Sequence, residues 1–443
     1  MEAVTALSRE RVETLSQTLG EPAWLTQARL AAWEAYKDLP FPTPKTEEWK
    51  YTDIRNLPFE DLPLETPTGR TLTREALPQA VQARLERTDA AAIAVFVGPD
   101  LAYVELPEEL REKGVIVTDL RTALAEHPEK VRPALYRAVP ATSPTPGAPD
   151  KLTALNAAFW TYGIFIYLPK GVTLEAPIGI FKYLETGGAL SVGRTLIVAE
   201  ETAQGAYLEE YLSPALDAPA IHVSVSELLL HPGAILRHAN VQSWGRGVHH
   251  FHRQRALLEK DARLNDLVAT FGGTLSRAEV QSELVGPGAD SEMLGIYFAH
   301  ADQHFDHYTL QHHVADHARS DVLYKGAAKD RARTVYSGLI RLEPGAQKTD
   351  AYQTNRNLLL SPEARSDSVP QLEIAANDVR CSHGSSTAPV DETQVLYLMS
   401  RGLPRTLAEQ LLVKAFLADV LTRIPLPALR QHLETVIEEK VTL

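Results

Sequence analysis

Thiols are nearly absent: the 443 residues include one cysteine, Cys381. An intrachain disulfide, a CxxC redox pair and a zinc site of several thiolates are therefore excluded. A lone free thiol suits a reducing cytosol. Basic charge is also short. The 44 Lys and Arg face 57 Asp and Glu, a formal net charge of -13, and so acidic a surface repels phosphate backbones. Long apolar runs are missing. Stretches such as Tyr162 to Leu168 fall far below the ~20 residues that span a bilayer. Met1-Glu2-Ala3-Val4 lacks the basic and apolar regions of a signal peptide. The expectation is a soluble, cytoplasmic protein with no nucleic-acid and no membrane partner. Short catalytic motifs are missing too. There is no Gly-Lys dipeptide, hence no Walker A loop, and no G-x-G-x-x-G, G-x-S-x-G or H-E-x-x-H.

What is present divides into three. The first 150 residues read as a helical and mixed region. Ser8 to Leu19 and a second helix through Leu25, Ala28, Ala32 and Tyr36 are separated by Gly20, which ends the first. Strand-like runs follow at Ala92 to Val97 and Val115 to Thr118, and one helix is expected from Asp119 to about Val139. Pro140 to Pro149, with four prolines and one glycine, marks a boundary.

Residues 151–388 have a different texture. Short β-rich runs alternate with turn pairs such as Pro232-Gly233, Pro287-Gly288 and Pro344-Gly345, and long amphipathic helices are hard to find. The turn alanines Ala234, Ala262, Ala289, Ala318 and Ala346 lie 28, 27, 29 and 28 residues apart, and Ala332 falls at a half-step. A fixed period of this size means stacked units. Two strands and two turns per period make a coil of a parallel β-helix, with alanine where coils crowd at a bend. A β-sandwich is the competing fold, although its turns usually recur every 8–12 residues.

Residues 389–443 form a helical region. Asp391 is placed to cap a helix ending before Gly402, and Thr406 with Glu409 matches a capping box. The helix opened there carries Leu407, Leu411, Leu412, Phe416, Leu417, Val420 and Leu421, more apolar surface than one face can hide. A last helix spans about Ala428 to Val441.

Two clusters carry candidate chemistry. Twelve of the 15 histidines lie between His222 and His317, and His250 and His252 share a strand face. Such imidazoles suit a cupin-like metal enzyme, or simply an exposed polar ladder on repeated strands. In Asn377-Asp-Val-Arg-Cys-Ser-His-Gly384, Val379, Cys381 and His383 point to one side of a strand. The cysteine is either packed beside Val379 or paired with the imidazole for iron or sulfur chemistry.

Around this last motif the sequence resembles the SufB/SufD family of the SUF iron–sulfur cluster assembly system. The resemblance rests on Lys45-Thr-Glu-Glu-Trp-Lys-Tyr-Thr-Asp-Ile54, Asn355-Arg-Asn-Leu-Leu-Leu360, and Asp378-Val-Arg-Cys-Ser-His-Gly384 with the following Asp391 to Gly402. The Cys-Ser-His-Gly form is similar to the SufD type. Ala364-Arg-Ser-Asp-Ser stands where SufB has its important cysteine, and the resemblance therefore implies that this chain is not the sole sulfur acceptor. The resemblance implies a mainly β chain, a right-handed parallel β-helix between N-terminal α/β and C-terminal helical regions. It implies a non-catalytic scaffold working with SufB and the ATPase SufC, and a transient iron–sulfur cluster in that complex with none held tightly by the isolated chain. Cys381 and His383 match the interface motif. Leu403, Leu407, Leu411 and Phe416 lie in the region expected to dock SufC. A homodimer is expected when the partner is missing. The alternatives are a metal-dependent enzyme using the central histidines and a purely structural β-helix adaptor.

Overall fold

The computed structural model describes residues 7–142 and 150–442; most of the Pro140–Pro149 boundary lies outside the described residues. From Tyr162–Leu168 to Arg380–Pro389 the chain alternates between two sheets, each strand pairing in parallel with the strands one coil before and after it. About eight coils result. Register is kept residue for residue: His250 sits between His222 and Ser276 on adjacent coils. The 28-residue period therefore stacks like positions of successive coils directly over one another.

The corners explain the alanines. In the turns Thr202-Ala203, Gly233-Ala234, Asp261-Ala262, Gly288-Ala289 and His317-Ala318, the first residue has positive φ, from 55° to 74°. The alanine that follows is 0% to 1% exposed. Each of these alanine carbonyls accepts the amide that opens the strand one coil later, as in Arg263 N to Ala234 O at 2.8 Å and Asp290 N to Ala262 O at 2.9 Å. A larger side chain would meet the coils above and below. Ala346 corrects the expectation of five equivalent alanines. It makes the same local turn, Ala346 N to Glu343 O at 2.9 Å, but its loop is longer and Thr349, after positive-φ Lys348, takes the stacking position.

Inside the solenoid, glycines make room for rings. A Cβ on Gly326 would lie 1.7 Å from the Tyr297 ring, and one on Gly295 2.2 Å from Tyr324. No L side chain fits without displacing those tyrosines.

The N-terminal helices, Arg9–Thr18 and Ala23–Asp38, flank Gly20 as the pattern predicts, with φ of +63° there. The strand Ala92–Val97 joins the solenoid sheet in parallel with Ile178–Tyr183, and Ile116–Asp119 pairs antiparallel with Tyr162–Leu168 on the other sheet. Three expectations change. The single helix over 119–139 is broken into Leu120–Glu126 and Pro128–Val131, because Pro128 lacks the donor to continue it. Asp100–Glu105 forms a hairpin with Ala92–Val97. Lys151–Phe159 is a helix with every residue buried, and a helix buried all round has no polar face to betray its period.

The C-terminal helices are Glu392–Ser400, Arg405–Leu421 and Pro427–Thr442. Asp391 caps the first through Thr393 N. The Thr406–Glu409 box does not form. The helix begins earlier, with Pro404 as its cap, and Glu409 pairs with Arg405 at 2.8 Å. The last two helices cover the outer face of the ten-stranded sheet: Val413, Leu417, Leu429 and Leu433 close over Leu267, Leu294 and Leu323. Each such leucine contributes about 1.5–3 kcal/mol on burial. Among the described residues, no helix is long and apolar enough to cross a membrane.

Candidate functional site

The two ends of the solenoid differ. At the first end, short N-terminal strands pair with both sheets. At the last, Arg365–Ile374 and Arg380–Pro389 each have a strand on one side only. In the strand before the edge, Ala351, Gln353, Asn355 and Asn357 are buried while Tyr352 and Arg356 are exposed, so the first set faces the interior. Their in-register partners are Cys381, His383, Ser385 and Thr387. The interior rows thus run out to the open end and stop there. On the opposite sheet Leu372 and Ile374 continue the rows of Ile340 and Leu342, which are 0% and 1% exposed, yet they are 37% and 42% exposed themselves. Side chains that a further coil would bury stand in water.

Cys381 is half-buried and packs with Val379 against Ile340, Leu342, Ala346 and Ala351. Burial raises its pKa, the Asp350 carboxylate adds to the rise, and a bond with the Ala351 backbone opposes it. The protonated thiol therefore prevails at neutral pH. His383 is exposed, two residues along on the same strand face. Its neighbour in the row, Gln353, is turned away, donating to Gly338 O at 3.3 Å. Nothing lies within 4 Å of where a Cβ on Gly384 would sit, which leaves the strand open beside His383.

The four C-terminal candidates separate. Leu407 and Leu411 are 41% and 40% exposed, and Leu403 is half-buried. Leu396, Tyr397 and Met399 on the preceding helix are exposed as well. Phe416 turns the other way, packing against the cluster under the helices. Lys325 lies 5.0 Å from its ring and donates to its carbonyl at 3.0 Å, while also pairing with Asp419 at 2.9 Å.

The central histidines are not an exposed ladder but mainly interior rungs, since their strand face is the one turned into the solenoid. Tyr162 OH meets His222 Nε2 at 2.7 Å, and His222 Nδ1 meets His250 Nδ1 at 2.9 Å. His252 bonds Ser224 at 2.8 Å, His238 bonds Asp266 at 2.7 Å and His307 bonds Thr270 at 2.9 Å. Burial drives the pKa of His222 and His250 well down and that of His252 and His307 to about 4. Among the described residues no three His, Cys, Asp or Glu side chains converge in a geometry that holds a metal ion. The metal-enzyme alternative therefore finds no assembled site.

Sequence reasoning missed the charges inside the solenoid. Lys182 pairs with Glu209, which also accepts from Tyr211 at 2.9 Å, all fully buried. Arg194 pairs with Glu227 at 2.5 Å and donates to Asn156 at 3.0 Å, tying the buried helix to the sheet. A signal existed. His222 and His250, Ser224 and His252, and His238 and Asp266 are each 28 residues apart, the spacing already given by the alanines.

Comparison with known proteins agrees with this architecture. The SufBD protein N-terminal region matches residues 5–180, and the SUF system FeS cluster assembly SufBD core domain matches residues 183–416. The iron–sulfur cluster assembly protein SufD of Bacillus subtilis is 30% identical over 98% of each chain. A SufBD family protein of Staphylococcus epidermidis is 27% identical over 95% of this chain and 90% of its own, and one from Staphylococcus saprophyticus is 27% identical over the same shares. The chain belongs to the SufBD family of the SUF iron–sulfur cluster assembly system.

Proposed function

We propose that this chain is a non-catalytic scaffold subunit of cytoplasmic iron–sulfur cluster assembly, joined through its open solenoid end to SufB and through its C-terminal helices to the ATPase SufC. The observation that carries the reading is the unfinished last coil, which exposes Leu372 and Ile374 and carries His383 on a free edge. Unpaired edge strands are templates for another chain. Pro370 interrupts the donors of one edge strand, whereas the other runs from Arg380 to Ala388 without a proline. That second edge is the better one to extend into a partner sheet, and a second copy of this chain would use it when SufB is missing. The division into 1–150, 151–388 and 389–443 describes these working parts.

The cluster is cargo, not a resident group. A cluster usually takes four protein ligands, and one thiol with one imidazole supplies too few. The site is therefore shared across the interface. His383 is the stronger ligand of the pair, since it is exposed while the Cys381 thiol is packed and held protonated. Iron and labile sulfide are to be counted in the complex reconstituted with SufB and SufC, with sizing as the integrity check. His383→Ala lowers cluster yield and Cys381→Ser lowers it less, both in intact complexes. Full yield from His383→Ala removes that residue from the mechanism.

A further inference from the structure

Far from the open end, the N-terminal region and the last helix enclose a groove of about 780 Å³. That is the size of a small-molecule site, and a junction between chain regions is where such sites concentrate. The floor is apolar, with Leu208 and Leu429 both 3% exposed. Charge is arranged unevenly above it. Of the six charged residues in the lining, only Arg84 is buried, at 9% exposure. Its Nε donates to Glu210 at 2.7 Å and its Nη2 to the other oxygen, while Nη1 is buried without a partner. The guanidinium is thereby fixed in place. Arg430 is half-buried and Arg87 is exposed, and neither is in an ion pair among the described residues. The three carboxylates of the lining, Asp89, Glu175 and Glu434, are exposed and solvated. A charge in a poorly solvated wall acts more strongly than one in water, but that of Arg84 is met by the buried Glu210 carboxylate, so Arg84 offers the groove an unpartnered Nη1 donor, which calls for an acceptor, with the unpaired Arg87 and Arg430 beside it. On the facing helix His432 is held at a pKa of about 4 by burial; Glu210 opposes the fall, and Arg84 and Arg87 add to it.

We propose that this groove binds a small organic molecule through an oxyanion, a carboxylate or a phosphate group, gripped by Arg87 and Arg430 over the fixed Arg84 guanidinium. Oxyanions suit guanidinium groups because two parallel N–H donors meet two oxygens. The rim carboxylates are free to accept from hydroxyl or amino hydrogens on the body of the ligand. The apolar floor takes its carbon skeleton.

The test uses the full chain at low ionic strength, titrated with inorganic phosphate, glycerol phosphate and succinate. Calorimetry reads binding, and the imidazole NMR signal of His432 reads the site. Saturable binding with an upward shift of the His432 titration supports the proposal, since a bound anion favours the imidazolium. Phosphates binding without succinate assign a phosphate ligand, and succinate binding alone assigns a carboxylate. The double variant Arg87→Gln with Arg430→Gln removes no ion pair and leaves Arg84 with Glu210, so its fold is retained. Its affinity falls at least about tenfold for loss of charge-assisted bonds. No saturable binding of any of the three probes to the wild-type chain overturns the proposal. So does unchanged affinity in the folded double variant.

Discussion

Acid should unfold this protein before its carboxylates titrate. The interior rungs His252 and His307 have folded pKa values of about 4, and His313 one of about 3, in each case through burial first. His222 and His250 are lowered in the same way. Above pH ~6.5, the ordinary histidine value, both folded and unfolded states hold neutral imidazole and these groups contribute nothing to the pH dependence. Below it the unfolded chain takes up protons that the folded interior refuses, so stability falls with pH until the folded values are reached. Each histidine costs about 1.4 kcal/mol per pH unit in that window. Three of them cost roughly 10 kcal/mol between pH ~6.5 and pH ~4, comparable to the whole stability of a typical domain, about 5–15 kcal/mol. His312 works in the opposite sense. It lies between Glu283 and Glu343 and its pKa is raised, by side-chain bonds to both that outweigh its burial. It holds its proton more firmly when folded, so it stabilises below pH ~6.5 and loses that effect as pH rises through its folded value. One raised histidine offsets only part of the lowered ones. The carboxylates act in a lower window. Glu209 and Glu279, held at about 2 against their burial by Lys182 and by Arg253 and Arg277, lose their stabilisation only as pH falls below ~4.5. Urea midpoints followed by tryptophan fluorescence should therefore fall steeply from pH ~6.5 to pH ~5, with several protons taken up on unfolding. His307→Phe should reduce the slope by about one proton, or ~1.4 kcal/mol per pH unit, whatever it does to absolute stability. A midpoint constant over that range would refute the argument.

Three further outcomes follow from single contacts. Leu407→Asp with Leu411→Asp should leave the fold and thermal midpoint nearly unchanged, because both residues are exposed, and should weaken SufC binding at least about tenfold in a pull-down titration. Truncating the helices instead would uncover Leu267, Leu294 and Leu323 and confuse binding with solubility. Gly326→Ala should destabilise by at least about 1–3 kcal/mol in urea, since its Cβ would stand 1.7 Å from the Tyr297 ring; a neutral result would mean that Tyr297 moves freely. Thr52→Val should cost about 1–3 kcal/mol, because the 1%-exposed hydroxyl meets His304 at 2.8 Å and donates to Asp306, fastening the Lys45–Ile54 motif to the solenoid. Faster proteolysis near residue 50 is the readout.

Where the sequence spoke, it did so through repetition. The alanine spacing was legible because every coil meets the same steric demand: a left-handed residue, then a side chain no larger than Ala, as at Asp261-Ala262 and His317-Ala318. A demand met five times leaves a period. Elements that occur once leave none. The helix Lys151–Phe159 faces protein on all sides, and the Asp100–Glu105 strand belongs to a hairpin made once. Thr406 and Glu409 matched a capping pattern, but the helix already starts at Arg405, with Pro404 as its cap, and Glu409 is taken by Arg405 one turn earlier. Phe416 and Leu411 could not be told apart, because an apolar residue on a two-faced helix does not announce which face meets the sheet.

The candidate site was legible for a different reason. Cys381 and His383 stood out by chemistry, but the role proposed for them rests on position, and that depends on where the repeat ends. Gln353 and His383 are successive members of one row, and only one is buried. The same holds for Leu342 and Ile374 on the other sheet. A polar residue inside a coil must be satisfied within the chain, as Asn355 and Asn357 are, bonded to each other and to Tyr297 at 2.6 to 3.0 Å. A polar residue one coil later is free to meet something outside it. The polar interior and the open edge are thus one construction: the row that holds His238 and Asp266 inside the solenoid runs on through Met293, Val322 and Gln353 to His383 at the edge, where the chain supplies no further coil.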